Sequence, residues 1–425
     1  MFWTAFCRSS PRSFKTWNGP LQSRSFGHSF SRTFPRLARF GQEKASSSIP
    51  SFRDQLARAS EVKPFGDRIK RPTIRNQVLF FVAGSWLVFS VAAAKTHLDT
   101  EYWSKRIVIM ESVWSRPPTS DEMRRAQYIE LGKTLQAKLS GFKDSLADWP
   151  IALKSLFISA YVGFAQPYLD APEGRRMCWW ICGLNTVVYL AWKIPRFVPS
   201  MNRSFMHHPL SGLSYTLLTS VFSHRSFLHL VANSMALISF GSAATLYLAR
   251  EQQRGPTGYQ ESTTKWHFLA FYVAAGLFSG LASHAASTKV LFPRLVSQLS
   301  KPSGTLAAGT VAKSAAGATA KEILPSLGAS GAIYAAVTLS ALAFPDASIS
   351  LIFLPFFAIP IQSGVGAIIA LDAIGILRGW KMFDHYAHLS GATFGVLYYL
   401  YGPQWWDFMR IIHDPTEEEK EKSEA

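Results

Sequence analysis

The sequence predicts an all-α polytopic membrane protein. Only 17% of its 425 residues are charged, and the charged residues cluster between long apolar runs. Several of these runs exceed the roughly 18 residues that distinguish a membrane-spanning helix from a buried helix of a soluble core. Because lipid offers the backbone no hydrogen-bond partners, such runs are expected to be helical. The distribution of charge therefore argues against soluble domains.

Residues 1–63 are expected to be a mitochondrial transit peptide and a disordered basic leader. The first 42 residues contain no Asp or Glu, and their basic residues are Arg8, Arg12, Lys15, Arg24, Arg32, Arg36 and Arg39. A basic, serine-rich and acid-poor N-terminus is typical of a transit peptide. A basic arm that binds nucleic acid or lipid head groups has a similar composition. Since much of the +17 net charge lies in this removable piece, we expect no nucleic-acid partner.

The three cysteines, Cys7, Cys178 and Cys182, are too few for a disulfide framework. Cys178 and Cys182 lie four residues apart and thus on one face of an apolar helix. They supply two soft ligands, whereas a structural zinc site takes four. We interpret them as packing residues.

Seven uncharged runs predict seven membrane spans. They lie at 76–94, 177–192, 226–249, 266–288, 323–345, 347–371 and 386–404. The second run is short, and a span there needs the flanking Arg176 and Lys193 to reach the membrane surface. The first span, with a matrix stub, occupies 64–95, and the other six form a core at 177–404.

The segments outside the spans are expected to be polar. Residues 96–176 are predicted to form a helical segment of the intermembrane space, in which Ser120 caps one helix and the apolar stretch 151–165 lies on the membrane surface. Residues 301–321, rich in Ala, Gly, Ser and Thr, predict a flexible loop. Residues 405–425 form an acidic tail.

Loop charge predicts the orientation, because positively charged loops stay on the matrix side. Alternation of the seven spans puts four basic segments on that side, at 68–75, 193–203, 289–321 and 378–381. The N-terminus is therefore expected in the matrix and the C-terminus in the intermembrane space.

Several ionisable or polar residues fall inside the predicted spans, where each needs a partner or a water-filled cavity. They are His229, Asn233, His267, His284, Ser330, Asp372 and His388. A serine hydroxyl becomes a nucleophile when a positioned base takes its proton, and histidine is the side chain best matched to that task. Ser330 and His388 lie near the starts of two spans that enter from the same side, so the two side chains could meet.

Small residues beside both side chains favour a close approach of these two helices. Gly328 and Gly331 flank the serine, and Gly391 and Gly395 follow the histidine on one helical face. Such glycines also occur in helix contacts that have no catalytic role. On a third span, His229 and Asn233 share a face and could donate hydrogen bonds to an oxyanion, or form a polar clasp between helices.

Three separated motifs resemble those of the rhomboid intramembrane serine proteases in order and spacing. They are HxxxxHxxxN at His224, His229 and Asn233, GASG at 328–331 and AHLSGATFG at 387–395. The stretch ALDAIGILRGWKMFDHYAHLSGATFG at 370–395, the extra first span and the basic leader are similar to the mitochondrial, presenilin-associated rhomboid-like branch. The resemblance covers about 177–402.

This resemblance implies a rhomboid six-helix core with one additional N-terminal transmembrane helix, a 1+6 arrangement. It implies that Ser330 is the nucleophile and His388 the general base, in a dyad without a required aspartate. His229, Asn233 and the backbone N–H of Ser330 would form the oxyanion hole, and His224 would be an accessory residue.

The implied activity is an intramembrane serine endopeptidase of the mitochondrial inner membrane, which needs no metal and no organic cofactor. Its implied partners are the lipid bilayer and the transmembrane segments of inner-membrane-anchored proteins. In fungi, members of the family process a dynamin-like fusion GTPase and cytochrome c peroxidase.

Some interpretations stay open. Asp372 either tunes His388 or pairs with another polar or basic side chain, while His267 and His284 are expected to be structural. A non-catalytic relative that binds and escorts membrane helices is the alternative function. A transporter would favour paired charges or an internal repeat, and no repeat is visible between the halves of the span list.

Overall fold

The computed structural model describes residues 72–110, 116–255, 258–300, 323–351 and 354–414, which lie within one unit of the chain, Lys63–Ala425. The predicted leader at 1–63, the predicted loop at 301–321 and residues 415–425 of the predicted tail lie outside the described residues. The helices are α1 (Arg75–Met110), α2 (Ser120–Ser145), α3 (Ile151–Asp170), α4 (Glu173–Lys193), α5 (Val198–Ser204), α6 (Thr216–Thr219), α7 (Phe227–Arg254), α8 (Lys265–Ala286), α9 (Phe292–Ser300), α10 (Ser330–Ala343), α11 (Ile361–Arg378) and α12 (His385–Ile412).

Short irregular helical turns and one hairpin complete the fold. The helix α7 contains a π-helical turn at Leu237–Gly241, and another at Ser287–Leu291 joins α8 to α9. The strands β1 (Ser348–Leu351) and β2 (Leu354–Pro360) pair antiparallel. Among the described residues, α1, α7, the joined α8 and α9, and α11 are long and apolar enough to cross a membrane, and α10 is apolar but shorter. The predicted all-α polytopic membrane class is confirmed.

A helix lies in each of the seven predicted runs, but the sixth run was placed wrongly. The predicted span at 347–371 is instead the β1–β2 hairpin followed by α11, which runs from Ile361 to Arg378. The reason is Pro360, the N-cap residue of α11, because a proline disfavours the helical conformation in the residue before it. Asp372 consequently lies deep within α11. The count of seven spans stays a prediction. Four helices combine the length and the hydropathy of a membrane span, whereas α4, α10 and α12 do not combine both.

The predicted N-cap of α2 is wrong by one residue. Thr119 is the cap: its hydroxyl accepts the N–H of Glu122, and the Glu122 carboxylate accepts the N–H of Thr119. This reciprocal pair is a capping box. Ser120 is buried and donates its hydroxyl to the Gln260 side chain at 2.8 Å, so its side chain serves a tertiary contact.

The two cysteines of α4 are free, with Cys178 buried and Cys182 half-buried. The apolar stretch 151–165 lies in α3, in which no side chain is buried. Its location on the membrane surface stays a prediction.

The helix α8 lies at the centre of the core, where Phe268, Phe271 and Tyr272 are fully buried. The additional helix α1 packs on α8 and α12, and its Phe89 ring stacks on the ring of Tyr398 with centroids 6.2 Å apart. The extra N-terminal helix is thus part of the same packed core.

Among the described residues, α10 and α12 have the most extensive contact of any helix pair. A Cβ atom built on Gly391 would overlap the carbonyl oxygen of Gly331, and one built on Gly395 would lie 2.5 Å from the carbonyl oxygen of Ala335. The absence of side chains at these glycines therefore brings the two backbones together, as small residues do in membrane helix pairs. This contact places Ser330 opposite His388.

The two histidines expected to be structural lie within the packing of α8. His267 stacks on Trp406 at 4.1 Å and shares a 2.7 Å hydrogen bond with the Tyr398 hydroxyl. His284 shares a 3.0 Å hydrogen bond with His207, a buried residue of the loop that precedes α6.

Candidate active site

The side chains of Ser330 and His388 form a hydrogen bond, with the serine Oγ 2.9 Å from the histidine Nε2. Ser330 is the first residue of α10, and His388 lies in the first turn of α12. The N-cap of α12 is Asp384, whose carboxylate accepts the N–H of Ala387 at 3.1 Å and the Ser283 hydroxyl at 2.6 Å. The start of the helix that carries His388 is thereby attached to α8. A 2.9 Å contact is within the reach that proton transfer between a nucleophile and its base requires.

Asp372 of α11 contacts the other ring nitrogen of His388. The Nδ1 atom lies 3.1 Å from Oδ1 and 3.2 Å from Oδ2 of the carboxylate. The structure shows contacts of both kinds that were left open for Asp372, because the carboxylate contacts His388 and also the polar side chains of Tyr334 and His385. Because a carboxylate only accepts hydrogen bonds, Nδ1 carries the proton and the lone pair of Nε2 faces the serine hydroxyl. The sequence resemblance implied a dyad, and the geometry places an aspartate beside it.

Tyr334 contacts both members of this pair. Its ring stacks on the His388 ring, with centroids 4.4 Å apart and planes 13° apart, and its hydroxyl donates to Asp372 Oδ2 at 2.5 Å. Tyr334 follows Ser330 by four residues, so both lie on the same face of α10. Tyr334 was not identified from the sequence, although this spacing was visible there.

His385 is the second site residue that the sequence reasoning missed. Its Nδ1 atom lies 2.5 Å from Asp372 Oδ1. The ligand-type atoms of Asp372, His385 and His388 all lie within 4.8 Å of one another, a spacing at which three side chains can also hold a metal ion. Hydrogen bonds to one shared carboxylate account for this spacing. The signal was the pair of histidines three residues apart in HYAH, which puts both on one helical face.

The residues predicted for the oxyanion hole lie beside Gly328, two residues before Ser330. A Cβ atom on Gly328 would be 2.7 Å from His229 Cε1 and 3.9 Å from Asn233 Nδ2. Gly328 has φ +128°, a conformation that residues with a side chain rarely adopt, and its N–H donates to the Ser220 carbonyl at 2.9 Å. The glycine therefore allows the chain to pass closely over both side chains.

The predicted accessory residue His224 holds Asn233. Asn233 Nδ2 lies 3.0 Å from His224 Nε2, and the His224 and His229 rings are 5.0 Å apart. His224 lies in the loop before α7, and burial lowers its pKa to about 4. The ring is thus neutral at physiological pH, so Nε2 accepts one N–H of Asn233 and leaves the second amide proton for another acceptor.

A small cavity of about 40 Å³ adjoins Ser330. Most of its lining surface is apolar, and the residues with polar side chains that line it are Ser220, Ser279, Ser326, Ser330 and Asp384. A cavity of this size that offers several polar groups can hold a water molecule. The site therefore combines a serine, a histidine, a carboxylate and space for water.

Comparison with known proteins places this site in a Rhomboid domain, whose sequence model matches residues 211–404. The chain is 32% identical over 281 residues to the human mitochondrial presenilin-associated rhomboid-like protein, an alignment that covers 65% of this chain and 61% of the human protein. The mouse relative of the same name is 33% identical over 278 residues, with the same coverage of both chains. The chain thus spans about three fifths of the length of these relatives.

A fungal relative extends the similarity. The mitochondrial Rhomboid protein 1 of Saccharomyces cerevisiae is 26% identical over 308 residues, which cover 68% of this chain and 73% of the yeast protein. The residues predicted from the sequence, Ser330, His388, His229 and Asn233, all lie within the matched domain, and so do Asp372 and His385. The predicted core at 177–404 begins earlier than the matched domain, and its boundary stays a prediction.

Proposed function

Because this chain belongs to the rhomboid family of mitochondrial membrane proteins, we propose that it is an intramembrane serine endopeptidase that cleaves transmembrane segments of other proteins. The observation that carries the proposal is the 2.9 Å hydrogen bond between Ser330 Oγ and His388 Nε2, in a chain with four described helices that are long and apolar enough to cross a membrane. A hydroxyl and a base at this distance can carry out acyl transfer, whereas helix packing alone does not require such a pair.

The first step is attack of Ser330 on a peptide carbonyl. His388 Nε2 accepts the hydroxyl proton as Oγ bonds to the carbonyl carbon. The Asp372 carboxylate accepts a hydrogen bond from the Nδ1–H of the resulting imidazolium, which keeps that proton. General-base assistance of this kind contributes roughly 10²- to 10⁴-fold to the rate. The imidazolium then gives its proton to the leaving amine nitrogen, which yields an acyl-enzyme.

The carbonyl oxygen carries the negative charge of the tetrahedral intermediate. The N–H of Ser330 lies in the first turn of α10, where backbone N–H groups have no partner within the helix and the helix dipole favours an anion. The His229 ring and the Asn233 amide, whose second proton His224 leaves available, lie beside Gly328, two residues before Ser330. One such donor contributes roughly 10²- to 10³-fold.

Hydrolysis of the acyl-enzyme needs water, and the cavity of about 40 Å³ beside Ser330 offers a place for it. His388 takes a proton from that water as its oxygen attacks the acyl carbon, and then returns the proton to Ser330 Oγ. These steps need neither a metal ion nor an organic cofactor. The dynamin-like GTPase and cytochrome c peroxidase named above for fungal members stay predictions of substrates.

The proposed location is the mitochondrial inner membrane, with the N-terminus in the matrix and the end of α10 that carries Ser330 on the matrix side. The basic segments between spans support this orientation. An epitope tag at the C-terminus should be digested by protease in mitoplasts with an intact inner membrane. A tag that stays protected there contradicts the orientation.

The proposed activity is tested with the purified full chain in liposomes. The wild type should react with a fluorophosphonate probe and cleave transmembrane peptides, whereas Ser330→Ala should do neither. Ser340→Ala is the matched control, because Ser340 lies on the same helix and donates its hydroxyl to the Ala336 carbonyl at 2.7 Å. Comparison of inner-membrane protein N-termini between cells with the wild type and with Ser330→Ala then identifies substrates and bonds.

The escort function has a different outcome in the same cells. If the protein only binds membrane helices, the Ser330→Ala variant should restore the wild-type function fully in these cells, and no protein N-termini should be lost. Rescue by Ser330→Ala together with no labelling of the wild type would overturn the protease proposal.

A further inference from the structure

Among the residues that the structure describes, His385 has one polar contact, and that contact is to Asp372. The histidine is 5% exposed, and its Nδ1 lies 2.5 Å from Asp372 Oδ1. Its other ring nitrogen, Nε2, has no hydrogen-bond partner among the described residues and faces Gly375. Buried polar groups usually have their hydrogen bonds satisfied, so a buried imidazole with half its capacity unused points to a role at the nitrogen that is engaged.

The carboxylate of Asp372 receives one short hydrogen bond on each oxygen. Tyr334 donates to Oδ2 at 2.5 Å, and His385 Nδ1 lies 2.5 Å from Oδ1. The Nδ1 atom of His388 lies between the two oxygens at 3.1 and 3.2 Å. The two outer donors therefore determine how the carboxylate is rotated, and that rotation presents both oxygens to His388.

The proton positions follow from the chemistry of the groups. An ionised carboxylate accepts hydrogen bonds and donates none, so the Nδ1 atoms of both histidines carry protons. In His388 this is the tautomer whose Nε2 lone pair accepts the Ser330 proton. The second hydrogen bond of the ring determines which tautomer is present.

We propose that His385 is a positioning residue: its Nδ1–H holds the Asp372 carboxylate in the orientation that keeps His388 in the tautomer and ring position needed to accept the Ser330 proton. This inference rests on the proposed function, in which His388 is the base. Without the His385 donor, only Tyr334 holds the carboxylate from outside, and Oδ1 can rotate away from His388. The proportion of His388 that is ready to accept a proton then falls.

The surroundings of His385 show how tightly the ring is held. A Cβ atom on Gly375 would lie 2.5 Å from both Cε1 and Nε2 of His385. An alanine at 375 therefore displaces the imidazole and leaves Asp372, His385 and His388 chemically intact. Gly366 lies on the same helix with nothing within 4 Å of a Cβ atom, so Gly366→Ala is a control with the same gain in helix propensity.

Three substitutions of His385 separate hydrogen bonding from packing. An asparagine amide occupies the place of Nδ1, a glutamine amide reaches the place of Nε2, and leucine has no donor. We expect His385→Asn to keep most of the wild-type kcat and fluorophosphonate labelling rate. His385→Gln and His385→Leu should lose roughly 10- to 100-fold in both, part of what a general base contributes, with KM for a transmembrane peptide little changed.

The controls address folding. His413→Leu alters a histidine near the end of the same helix, where Nδ1 contacts the Met409 carbonyl at 2.9 Å, and should leave kcat unchanged. Thermal midpoints in detergent identify variants that fail to fold. Gly375→Ala should lower kcat and the labelling rate, while Gly366→Ala should lower neither.

A second readout does not depend on catalysis. Imidazole ¹⁵N chemical shifts of His388 should report the Nδ1–H tautomer in the wild type and in His385→Asn, and a mixture of tautomers in His385→Leu. If the asparagine, glutamine and leucine variants have equal rates and an unchanged His388 tautomer, His385 is a packing residue and the inference is wrong. If the wild type neither labels nor cleaves, the protease proposal fails, and the ¹⁵N shifts still decide whether His385 positions Asp372 and His388.

Discussion

Gly391 of α12 lies against the backbone of Gly331 of α10, so closely that a Cβ atom on Gly391 would overlap the Gly331 carbonyl oxygen. The small residues that the sequence shows around the predicted nucleophile and base are therefore those that bring their helices together. Because the obstacle is backbone, a side chain at 391 can be accommodated only if the helices move apart.

Gly391→Ala should separate α10 from α12 and weaken the Ser330–His388 hydrogen bond. Overpacking of this kind costs roughly 1–3 kcal/mol of stability. We expect a lower thermal midpoint and a labelling rate of Ser330 by fluorophosphonate that falls by at least tenfold in the folded fraction. Gly183→Ala is the control, because nothing lies within 4 Å of a Cβ atom there. Equal labelling of the two variants would show that the close contact does not align the pair.

Asp372→Asn tests whether the histidine needs its carboxylate. An amide of the same shape no longer supplies two acceptors to Nδ1, and the equivalent change in the serine protease triad lowers kcat by roughly 10⁴-fold through the wrong histidine tautomer. We expect a loss of roughly 10²- to 10⁴-fold in kcat for a transmembrane peptide, with a similar KM. Full activity of Asp372→Asn would mean that Ser330 and His388 act as a dyad, as the sequence resemblance implied.

The positions of Ser330 and His388 at the same end of two apolar runs indicated that the two side chains could meet, and the resemblance of the motifs made this pairing a prediction. Helical periodicity placed His229 and Asn233 on one face, whereas His224, which lies in the loop before α7, was added through the resemblance. Which other helix packs against a given polar face depends on contacts between segments that are distant in the sequence. For that reason the contact of Asp372 with His388 stayed one of two interpretations, and His385 and Tyr334 were missed.

Two errors in the fold have different causes, the first local and the second a distant contact. The apolar run at 347–371 reads as one span by hydropathy alone, but Pro360 interrupts it, and the residues before that proline form the β1–β2 hairpin. The cap of α2 moved from Ser120 to Thr119 because the Ser120 hydroxyl bonds to Gln260, a contact 140 residues away in the sequence. The first error could have been avoided from the sequence, and the second could not.

A pH dependence of stability should arise from His207. This loop residue is buried, its ring contacts Thr216 and His284 at 2.8 and 3.0 Å, and its backbone pairs with Ser326, four residues before Ser330. Burial lowers the pKa of His207 from 6.5 to about 3. Between these values the unfolded chain binds a proton that the folded chain does not, so stability is intact above about pH 6.5 and falls as the pH drops towards 3.

Thermal midpoints measured from pH 7.5 to pH 4.5 test this expectation. The midpoint of His207→Asn should fall less steeply with decreasing pH than that of the wild type, whatever its value at pH 7.5. His208→Asn, at the exposed neighbouring position, should keep the wild-type slope. An unchanged slope in His207→Asn would assign the acid sensitivity to other groups.

A buried ion pair near the end of α12 should contribute strongly to the docking of α1. Arg410 is 2% exposed and Glu261 is 1% exposed. Arg410 Nε lies 3.4 Å from Glu261 Oε1. The same carboxylate oxygen accepts the Trp406 indole N–H at 2.8 Å. The Arg410 backbone carbonyl lies 2.9 Å from His97 Nε2 of α1. Arg410→Met leaves the Glu261 carboxylate buried without its cation, and the loss of one member of a buried pair costs roughly 3–5 kcal/mol.

The expected results are a large fall of the thermal midpoint for Arg410→Met and a partial recovery when Glu261→Gln removes the second charge. Arg254→Met is the matched control, because the Arg254 side chain is 74% exposed in its 3.0 Å pair with Glu251, and an exposed pair contributes about 0–1 kcal/mol. If Arg410→Met and Arg254→Met lower the midpoint equally, the buried pair does not stabilise the fold. If the double variant is no more stable than Arg410→Met, the cost comes from lost packing of the arginine and not from the unpaired carboxylate.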